Sequence, residues 1–283
     1  MNKKKSTTVK NSTAYRIGIV QVVGSNLFTY ETARNSVQCY STAQNYEFHS
    51  LTDDRRQKYC SHNDKFFRRH CLVAHFLKKY KNLDYVLFID SDIGVINPKR
   101  RIEEFIDPLV EITFIDRFYN WEVGGATYLM RNSKWTQNFL HGYADYEFRL
   151  PNSFHGTDNG AIHAYLAELI LPPQHTDIPI CLQIYNQSTG FSDLFLFEAC
   201  IRNALGNNIT FGNIKILRKG TGWVRDNWLT NSRWNEERDF MMHCWKNNQL
   251  RNYSTHPIPL SAKSSSQWYY PFIGQFELSL CTF

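Results

Sequence analysis

Two carboxylates that could bind a metal stand in the segment Asp90-Ser91-Asp92, directly after the apolar run Tyr85–Ile89. That run is typical of a buried strand, and open α/β sheets bind ligands at the carboxyl ends of their strands. Two carboxylates with this spacing can converge on one hard divalent cation. The pattern predicts a site for a metal and a diphosphate. The alternative is a turn in which aspartate is simply favoured.

A buried arginine is predicted on the helix that precedes this strand. Residues 65–81 carry apolar side chains at helical spacing, and Arg69 lies in line with Val73 and Phe76. Because an unpaired buried charge is very costly, Arg69 requires an anionic partner. That partner is either a structural carboxylate or a substrate phosphate, which arginine can bind with two hydrogen bonds. Four other basic residues of this helix are expected to face solvent: Arg68, His75, Lys78 and Lys79.

A histidine and a lysine in the late segment 239–246 are further candidate ligands. His243 could complete the coordination of the metal, and Lys246 could meet a diphosphate as a point charge. A purely structural histidine is the alternative. The lysine three residues later, in an aromatic segment, favours the functional interpretation.

An acidic loop at 155–160 precedes a predicted helix at 159–171. Asp158 and Asn159 could hydrogen-bond to the hydroxyl groups of a sugar. Alternatively, Asp158 or Thr157 is the N-cap of the helix, which is a structural role. The two roles are compatible, and the sequence leaves both open.

The elements that must position these residues alternate between strand and helix. Strands are predicted at 15–23, 85–89, 112–116 and 126–130, and helices at 30–42, 65–81, 135–148, 159–171 and 191–205. This alternation is typical of an α/β domain with a largely parallel sheet. We expect a polar tail at 1–13, one domain at 14–250 and a C-terminal extension at 251–283.

Composition and charge restrict the classes of function. The chain has 283 residues and a formal charge of +6, yet it contains no recognisable nucleic-acid-binding module. It has no run of about 18 apolar residues, so no membrane span is expected. The seven cysteines include no CxxC pair, which argues against a structural zinc site. Their odd number leaves at least one cysteine outside any intrachain disulfide.

The segment FIDSDIGV at 88–95 resembles the metal-binding strand of GT-A glycosyltransferases. More closely, residues 66–168 resemble a glycosyltransferase-like family that is expanded in nematodes and was long labelled a domain of unknown function. That family is distantly similar to fungal galactosyl/mannosyltransferases and plant xyloglucan xylosyltransferases. The resemblance implies a single GT-A-type, Rossmann-like domain with a mixed, largely parallel sheet. It further implies a nucleoside-diphosphate sugar as donor, a glycan as acceptor, and Mn²⁺ or Mg²⁺ as cofactor.

The resemblance also implies roles for individual residues. The metal ligands would be Asp90, Asp92 and His243. The donor nucleotide would be bound by Arg69, Asp90, Ser91, Gly124, Gly125 and Lys246. The donor sugar would be oriented by Asp158 and Asn159. The relatives carry an Asn-x-Gly pair five residues before an Arg-Asn, whereas here Arg131-Asn132 follows Gly124-Gly125-Ala126, so the family asparagine is absent. The relatives retain the anomeric configuration of the transferred sugar.

Two other functions are compatible with these residues. One is a phosphatase of the haloacid dehalogenase type, in which Asp90 would be the nucleophile. Such phosphatases normally have Thr or Val two residues after the second aspartate, where this chain has Gly94. The other is a carbohydrate-binding pseudoenzyme, which the missing family asparagine favours and the intact carboxylates oppose.

Four N-x-S/T sequons favour a location in the secretory pathway, in the Golgi lumen by the resemblance: Asn11, Asn186, Asn208 and Asn252. The sequence begins with a lysine-rich polar segment and shows no signal peptide or membrane anchor. A cytoplasmic location is the alternative.

Overall fold

The computed structural model describes residues 15–24, 28–54, 59–118, 120–226 and 239–246. The tail at 1–13 and the extension at 251–283 lie outside these residues. The strands are β1 (Ile17–Val23), β2 (Glu47–Thr52), β3 (Tyr85–Ile89), β4 (Gly94–Val95), β5 (Ile112–Ile115), β6 (Thr127–Arg131), β7 (Thr210–Phe211), β8 (Ile214–Leu217), β9 (Val224–Asp226) and β10 (Met241–His243). The α-helices are α1 (Glu31–Gln44), α2 (Lys65–Lys79), α3 (Lys134–Asp145), α4 (Thr157–Ile170), α5 (Asp177–Gln187) and α6 (Phe191–Leu205).

A central sheet of seven strands, counted over the described residues, has the order β2-β1-β3-β6-β5-β8-β7. β1 is parallel to β2 and β3, and β5 is parallel to β8. β6 lies antiparallel between β3 and β5, and β7 is antiparallel to β8. The α/β fold with a mixed, largely parallel sheet is therefore confirmed.

Apolar side chains of β3 alternate between two cores, one on each face of the sheet. Val86 and Phe88 belong to the core that also contains side chains of α2, α3, α4 and α6. Leu87 and Ile89 belong to the core shared with α1 and β10. Because both faces of the sheet are covered at β3, this strand is apolar throughout. The carboxyl end of β3 therefore lies between the two cores, at the centre of the fold.

Two elements, β2 and α5, are present although the sequence did not predict them. β2 lies at the edge of the sheet and its residues are exposed or only partly buried, so EFHSLT lacks an apolar run. α5 contains Pro179, which discourages a helical interpretation. The proline lies in the first turn, where a helix does not use the missing amide proton.

The prediction that Arg68 faces solvent is wrong. Its side chain is 2% exposed, and its Nε donates to Asp53 Oδ1 at 2.5 Å. Its Nη1 also donates to the backbone carbonyl of His62 at 2.6 Å. The segment that precedes α2 therefore covers this face of the helix, a long-range contact that helical periodicity does not encode. Lys78 and Lys79 are exposed, as predicted.

Disulfides join Cys60 to Cys71 and Cys181 to Cys200. The first ties the segment before α2 to that helix, and the second ties α5 to α6. Cys39 is also disulfide-bonded. Over the described part of the chain, no helix combines the length and apolarity needed to cross a membrane.

Candidate active site at the carboxyl end of β3

The segment Asp90-Ser91-Asp92 forms a tight turn whose backbone is fixed on both sides. Asp90 N–H donates to Ala126 O at 2.9 Å, and Ile93 N–H donates to Asp90 O at 2.9 Å. The buried side chain of Gln21, on β1, donates from Nε2 to Asp90 O at 3.2 Å. Ser91 donates from Oγ to the backbone of β1 at 3.4 Å. These bonds fix the direction in which the two carboxylates leave the strand.

A second, three-stranded sheet brings the late segment of the chain to this turn. Its order is β4-β10-β9, with β10 antiparallel to β4 and parallel to β9. Trp245 N–H donates to the backbone oxygen of Asp92 at 2.8 Å, which locks the end of β10 to the turn. As a result, His243 Nε2 lies 3.5 Å from Asp92 Oδ1, and Lys246 Nζ lies 3.6 Å from Asp92 Oδ2.

Asp226, which the sequence analysis did not single out, orients the imidazole of His243. The two residues are paired across β9 and β10, and His243 Nδ1 lies 2.7 Å from Asp226 Oδ1. Donation from Nδ1–H leaves Nε2 directed at Asp92. A carboxylate that holds the far nitrogen is the usual support of a metal-binding histidine. The sequence signal was weak, because Asp226 lies in a three-residue strand far from the other carboxylates along the chain.

The electrostatic environment of His243 favours a positive charge at this position. Burial would lower the pKa of His243, but the bond to Asp226 and the nearby carboxylate of Asp92 outweigh it and raise the pKa well above its usual value. Burial would raise the pKa of Asp226, yet His243 and Arg117 hold it below its usual value. Arg117 donates from Nη2 to Asp226 Oδ1 at 2.9 Å, which fixes the carboxylate from its other side.

Three groups at this point could bind one cation. The ligand atoms of Asp92, His243 and Cys244 all lie within 4.8 Å of one another. Cys244 has a positive φ of 64°, a conformation that is uncommon outside glycine and that concentrates at functional sites. Carboxylate oxygens suit Mg²⁺ or Mn²⁺, whereas an imidazole suits transition metals and a thiolate suits softer ions such as Zn²⁺.

Arg69 joins the two halves of the site. Its guanidinium donates from Nη1 to Asp90 Oδ1 and from Nη2 to Asp158 Oδ2. The structure therefore gives Arg69 two carboxylate partners, which was one of the two alternatives, while a role in phosphate binding stays a prediction. Burial and the neighbouring Asp92 raise the pKa of Asp90 to about 6, although Arg69 opposes this.

Asp158 is almost completely buried, with 1% exposure, and its carboxylate is fully bonded. His70 Nε2 lies 3.1 Å from Asp158 Oδ2, and His70 Nδ1 lies 2.9 Å from Tyr128 Oη. Burial and the charge of Arg69 lower the pKa of His70 to about 4, so the ring is neutral and donates to Asp158. Burial would raise the pKa of Asp158, but Arg69 and His70 outweigh it and lower the pKa to about 2.

The alternative in which Asp158 or Thr157 is the N-cap of α4 is contradicted by the structure. The helix begins at Thr157, so the N-cap position falls on Gly156, whose side chain cannot form a cap. Instead, the ring nitrogen Nδ1 of His155 accepts the Thr157 N–H at 3.0 Å. Gly156 and Thr157 have positive φ values of 64° and 55°, which a β-branched residue such as Thr157 adopts rarely. This unusual backbone turns the Asp158 side chain inward, toward Arg69.

Gly125 lies directly against the start of α4. A Cβ atom at Gly125 would lie 2.7 Å from Tyr143 Oη and 3.1 Å from Asn159 Oδ1, so only glycine allows this approach. Gly124 lines a small cleft that is open to solvent. The same cleft is bordered by the side chains of Arg117, Thr127, Asp226 and His243. Gly124 and Gly125 thus lie between the metal-binding candidates and the Asp158-Asn159 pair.

Most of the chain matches one protein family. The sequence profile of the family described as "Protein of unknown function, DUF273" matches residues 37–259. The chain belongs to the DUF273 family. The matched region contains every candidate residue that was predicted from the sequence. No curated protein matches the chain.

Solved structures show how this DUF273 protein is folded. A glycosyltransferase involved in the glycosylation of the major capsid of PBCV-1 is similar, with a TM-score of 0.55, and covers 84% of this chain and 98% of its own. The two sequences are 13% identical, so the likeness concerns the fold. A protein from STIV matches 44% of this chain and 66% of its own, with 14% identity. Its TM-score of 0.29 is too low to indicate a shared fold.

Proposed function

We propose that this protein transfers a sugar from a nucleoside-diphosphate sugar to an acceptor hydroxyl of a glycan, with a divalent cation bound at Asp92 and His243. One observation carries the proposal: the imidazole held by Asp226 directs Nε2 toward Asp92, at the strand end where α/β sheets bind their ligands. The fold similarity to a viral glycosyltransferase and the resemblance of FIDSDIGV to the GT-A metal-binding strand support the same conclusion.

The residues fit a cation in the chemistry of their donors and in their electrostatics. Asp92 and His243 supply a carboxylate oxygen and an imidazole nitrogen, and Asp90 is adjacent to them as a third donor. We expect Mn²⁺ or Mg²⁺, and the thiol of Cys244 makes Zn²⁺ a competitor that the experiments should include. A bound divalent cation supplies stabilisation of the negative charge that builds on the diphosphate leaving group.

The chain's own residues would divide the remaining work. Lys246, with a side chain 31% exposed, would contribute a mobile positive charge to the diphosphate. Asn159, half-buried beside Gly125, would hydrogen-bond to the donor sugar. Asp158 accepts hydrogen bonds from Arg69 and His70, so its role would be to position Arg69 against Asp90. Retention of anomeric configuration is part of the proposal and follows from the resemblance.

The phosphatase alternative is disfavoured by the surroundings of Asp90. The carboxylate that would attack phosphorus is paired with Arg69 through Asp90 Oδ1, and this pairing lowers its nucleophilicity. Gly94 occupies the position where such phosphatases carry Thr or Val. A carbohydrate-binding pseudoenzyme would differ from the proposed transferase only in lacking turnover. A measurement of activity therefore distinguishes the two.

The test of turnover is a screen of UDP- and GDP-sugars, with and without Mn²⁺, in which release of the nucleoside diphosphate is measured.

The test of metal binding is a measurement of stability. We expect Mn²⁺ with a nucleoside diphosphate, at about 100 times the dissociation constant, to add about 2.7 kcal/mol to the free energy of unfolding. Asp92→Asn should lose this gain and remain folded. Asp107→Asn is the control, because it removes a carboxylate outside the site. This variant should keep the stabilisation by Mn²⁺ and nucleoside diphosphate. Equal stabilisation of the wild type and Asp92→Asn contradicts the metal assignment, and binding without turnover indicates a pseudoenzyme.

Asp226→Asn tests the support of the metal ligand. The amide oxygen can still accept from His243 Nδ1–H, but it lacks the negative charge that makes the imidazole a stronger ligand, so Mn²⁺ affinity should fall by about 10- to 100-fold. Isothermal titration of Mn²⁺ into the folded variant measures this directly. Unchanged affinity would mean that Asp226 is a structural partner of Arg117 alone.

We also propose that the protein resides in the secretory pathway, in the Golgi lumen. The disulfides Cys60–Cys71 and Cys181–Cys200 support an oxidising compartment, because disulfides are rare in the cytosol. The sequons support the same location. The cytoplasm is the alternative.

A further inference from the structure

A second group of metal-binding side chains lies beside α2, outside the site described above. The ligand atoms of Cys60, Cys71 and His75 all lie within 4.8 Å of one another. Both cysteines are buried, and His75 is half-buried. At 100° per residue, Cys71 lies about 200° around the helix from Arg69, so this cluster and the candidate active site occupy different faces of α2.

The arrangement of Cys71 and His75 is one that helices use to bind a metal. They are four residues apart on α2, so their side chains lie one above the other on one face. The backbone carbonyl of Tyr59 accepts a hydrogen bond from the ring of His75. A backbone acceptor on one ring nitrogen fixes the tautomer and leaves the other nitrogen to coordinate.

His141 lies beside this group on α3, which packs against α2, and its imidazole is the candidate for a fourth donor. The ring centres of His75 and His141 lie 5.2 Å apart, with the ring planes at 85°. Two imidazoles bound to one tetrahedral zinc at the usual Zn–N distance have ring centres about 5 Å apart. The two histidines therefore stand at the separation that a shared ion requires.

We propose that Cys60, Cys71, His75 and His141 form a Zn²⁺ site when the Cys60–Cys71 disulfide is reduced. A dithiol reductant transfers two electrons to the disulfide and becomes a disulfide itself, which leaves two protein thiols. Zn²⁺ then binds the two thiolates and the two imidazoles, and two protons are released. In reverse, a disulfide oxidant takes two electrons from the two thiolates and becomes a dithiol with two protons, so the Cys60–Cys71 disulfide re-forms and the ion is released.

The chemistry of the four donors selects zinc. Two thiolates and two imidazoles form the Cys₂His₂ set of tetrahedral structural zinc sites, and they exclude hard ions such as Mg²⁺. Burial and Lys78 lower the pKa of His75, and burial and His75 lower the pKa of His141. These shifts favour the neutral imidazole, which is the form that binds a metal. The absence of a CxxC pair in the sequence hid this site, because its ligands come from a loop and two helices.

The experiment compares Zn²⁺ binding by the oxidised and the dithiol-reduced protein in competition with a chromogenic chelator, after removal of excess reductant. We expect reduction to create one additional tight Zn²⁺ site per chain. His75→Ala and His141→Ala should each weaken this site at least tenfold in the reduced protein. With Co²⁺ in place of Zn²⁺, the reduced protein should show thiolate-to-cobalt charge transfer and the intense visible bands of tetrahedral cobalt.

Two further variants separate the sources of binding. Cys181→Ser with Cys200→Ser removes the disulfide between α5 and α6 and should leave the new site intact. His243→Ala removes the cation site at the carboxyl end of β3 and should also leave it intact. The proposal is overturned if reduction adds no Zn²⁺ site. It is equally overturned if the Zn²⁺ affinity of the added site is unchanged in both His75→Ala and His141→Ala. These two variants keep all the cysteines, so the test does not depend on whether a cysteine variant folds.

Discussion

At the scale of single residues, the site depends on charges that are buried together. Arg69, with a side chain 8% exposed, bonds to Asp90 and to Asp158, which is itself 1% exposed. Loss of one member of such a group leaves an uncompensated charge in a medium of low dielectric constant. These residues therefore contribute to stability and to the shape of the site at the same time.

Arg69→Met should lower the free energy of unfolding by about 3–5 kcal/mol at neutral pH, because Asp158 is left with His70 as its main partner. Urea denaturation measures the loss. The double variant Arg69→Met with Asp158→Asn should be more stable than the sum of the single losses predicts. Arg149→Met, which breaks an ion pair with Glu168 that is about half exposed, is the control and should cost less than about 1 kcal/mol. A similar small loss for Arg69→Met would contradict the account.

Glu198 is a second buried carboxyl group, and it differs from Asp158 in having no cationic partner in hydrogen-bond contact among the described residues. It lies on α6 with 0% exposure, and within the described residues neither of its oxygens has a hydrogen-bond partner. Burial, with a smaller contribution from Glu122, raises its pKa to about 9. The carboxyl is thus protonated in the folded protein at neutral pH. Because the unfolded chain releases this proton near its ordinary pKa, folding becomes less favourable as the pH rises from about 4.5 to 9.

Glu198→Gln keeps the shape of the side chain and cannot ionise, so it should remove this dependence on pH. We expect the variant's stability relative to the wild type to increase between pH 5 and pH 8, by at least about 1 kcal/mol, since one pKa unit corresponds to about 1.4 kcal/mol. Chemical denaturation at the two pH values measures the change. A difference that stays constant with pH would mean that Glu198 is ionised in the folded state.

At the scale of elements, the three-stranded sheet β4-β10-β9 decides where the ligands lie. β4 follows the Asp90-Ser91-Asp92 turn directly, and its pairing with β10 sets Gly94 opposite Met242. A Cβ atom at Gly94 would lie 2.4 Å from Trp245 Cε3, whose ring is completely buried. The close approach of the Trp245 ring to the backbone of Gly94 therefore requires glycine at this position.

Gly94→Ala should displace Trp245, and with it the backbone that carries His243 and Lys246. We expect a loss of about 1–3 kcal/mol in stability, typical of overpacking, together with weaker Mn²⁺ binding. Gly24→Ala is the matched control, since a Cβ atom there meets nothing within 4 Å. Calorimetric unfolding and Mn²⁺ titration of both variants give the comparison. Normal Mn²⁺ affinity in Gly94→Ala would show that the sheet tolerates this shift without moving the ligands.

At the scale of the whole molecule, the surface distinguishes between the described sequons. Asn208 and Thr210 are both exposed, in the connection from α6 to β7. Asn186 is exposed in the last turn of α5, but Ser188 is 3% exposed and its hydroxyl donates to Ile184 O at 3.0 Å. An enzyme that acts on the folded surface can reach the hydroxyl of the first sequon and not that of the second.

If the protein is made in the secretory pathway, Asn208 should carry a glycan and Asn186 should carry little or none. Endoglycosidase treatment of the protein from its native cells should shift its mobility. Asn208→Gln should remove one glycan, whereas Asn186→Gln should leave the mobility unchanged. An unshifted protein recovered in the cytosolic fraction would overturn the proposed compartment.

The sequence by itself determined the features that depend on local pattern. The apolar run of β3, the amphipathic helix α2 and the alternation of strands with helices are all encoded in neighbouring residues, so the α/β fold and the position of Asp90 and Asp92 could be predicted. Arg69 was identified as buried and in need of an anion because helical periodicity placed it in the apolar stripe.

The tertiary structure alone decided which residues are partners. Asp226 was missed because it meets His243 through pairing of β9 with β10, and Arg68 was misplaced because Asp53 reaches it from a separate segment. Asp158 meets Arg69 across 89 positions of sequence. Contacts between distant segments depend on how the whole chain packs, and no local pattern of residue types records them. For the same physical reason, the cysteine pairs and the histidines beside them could be recognised only in the folded protein.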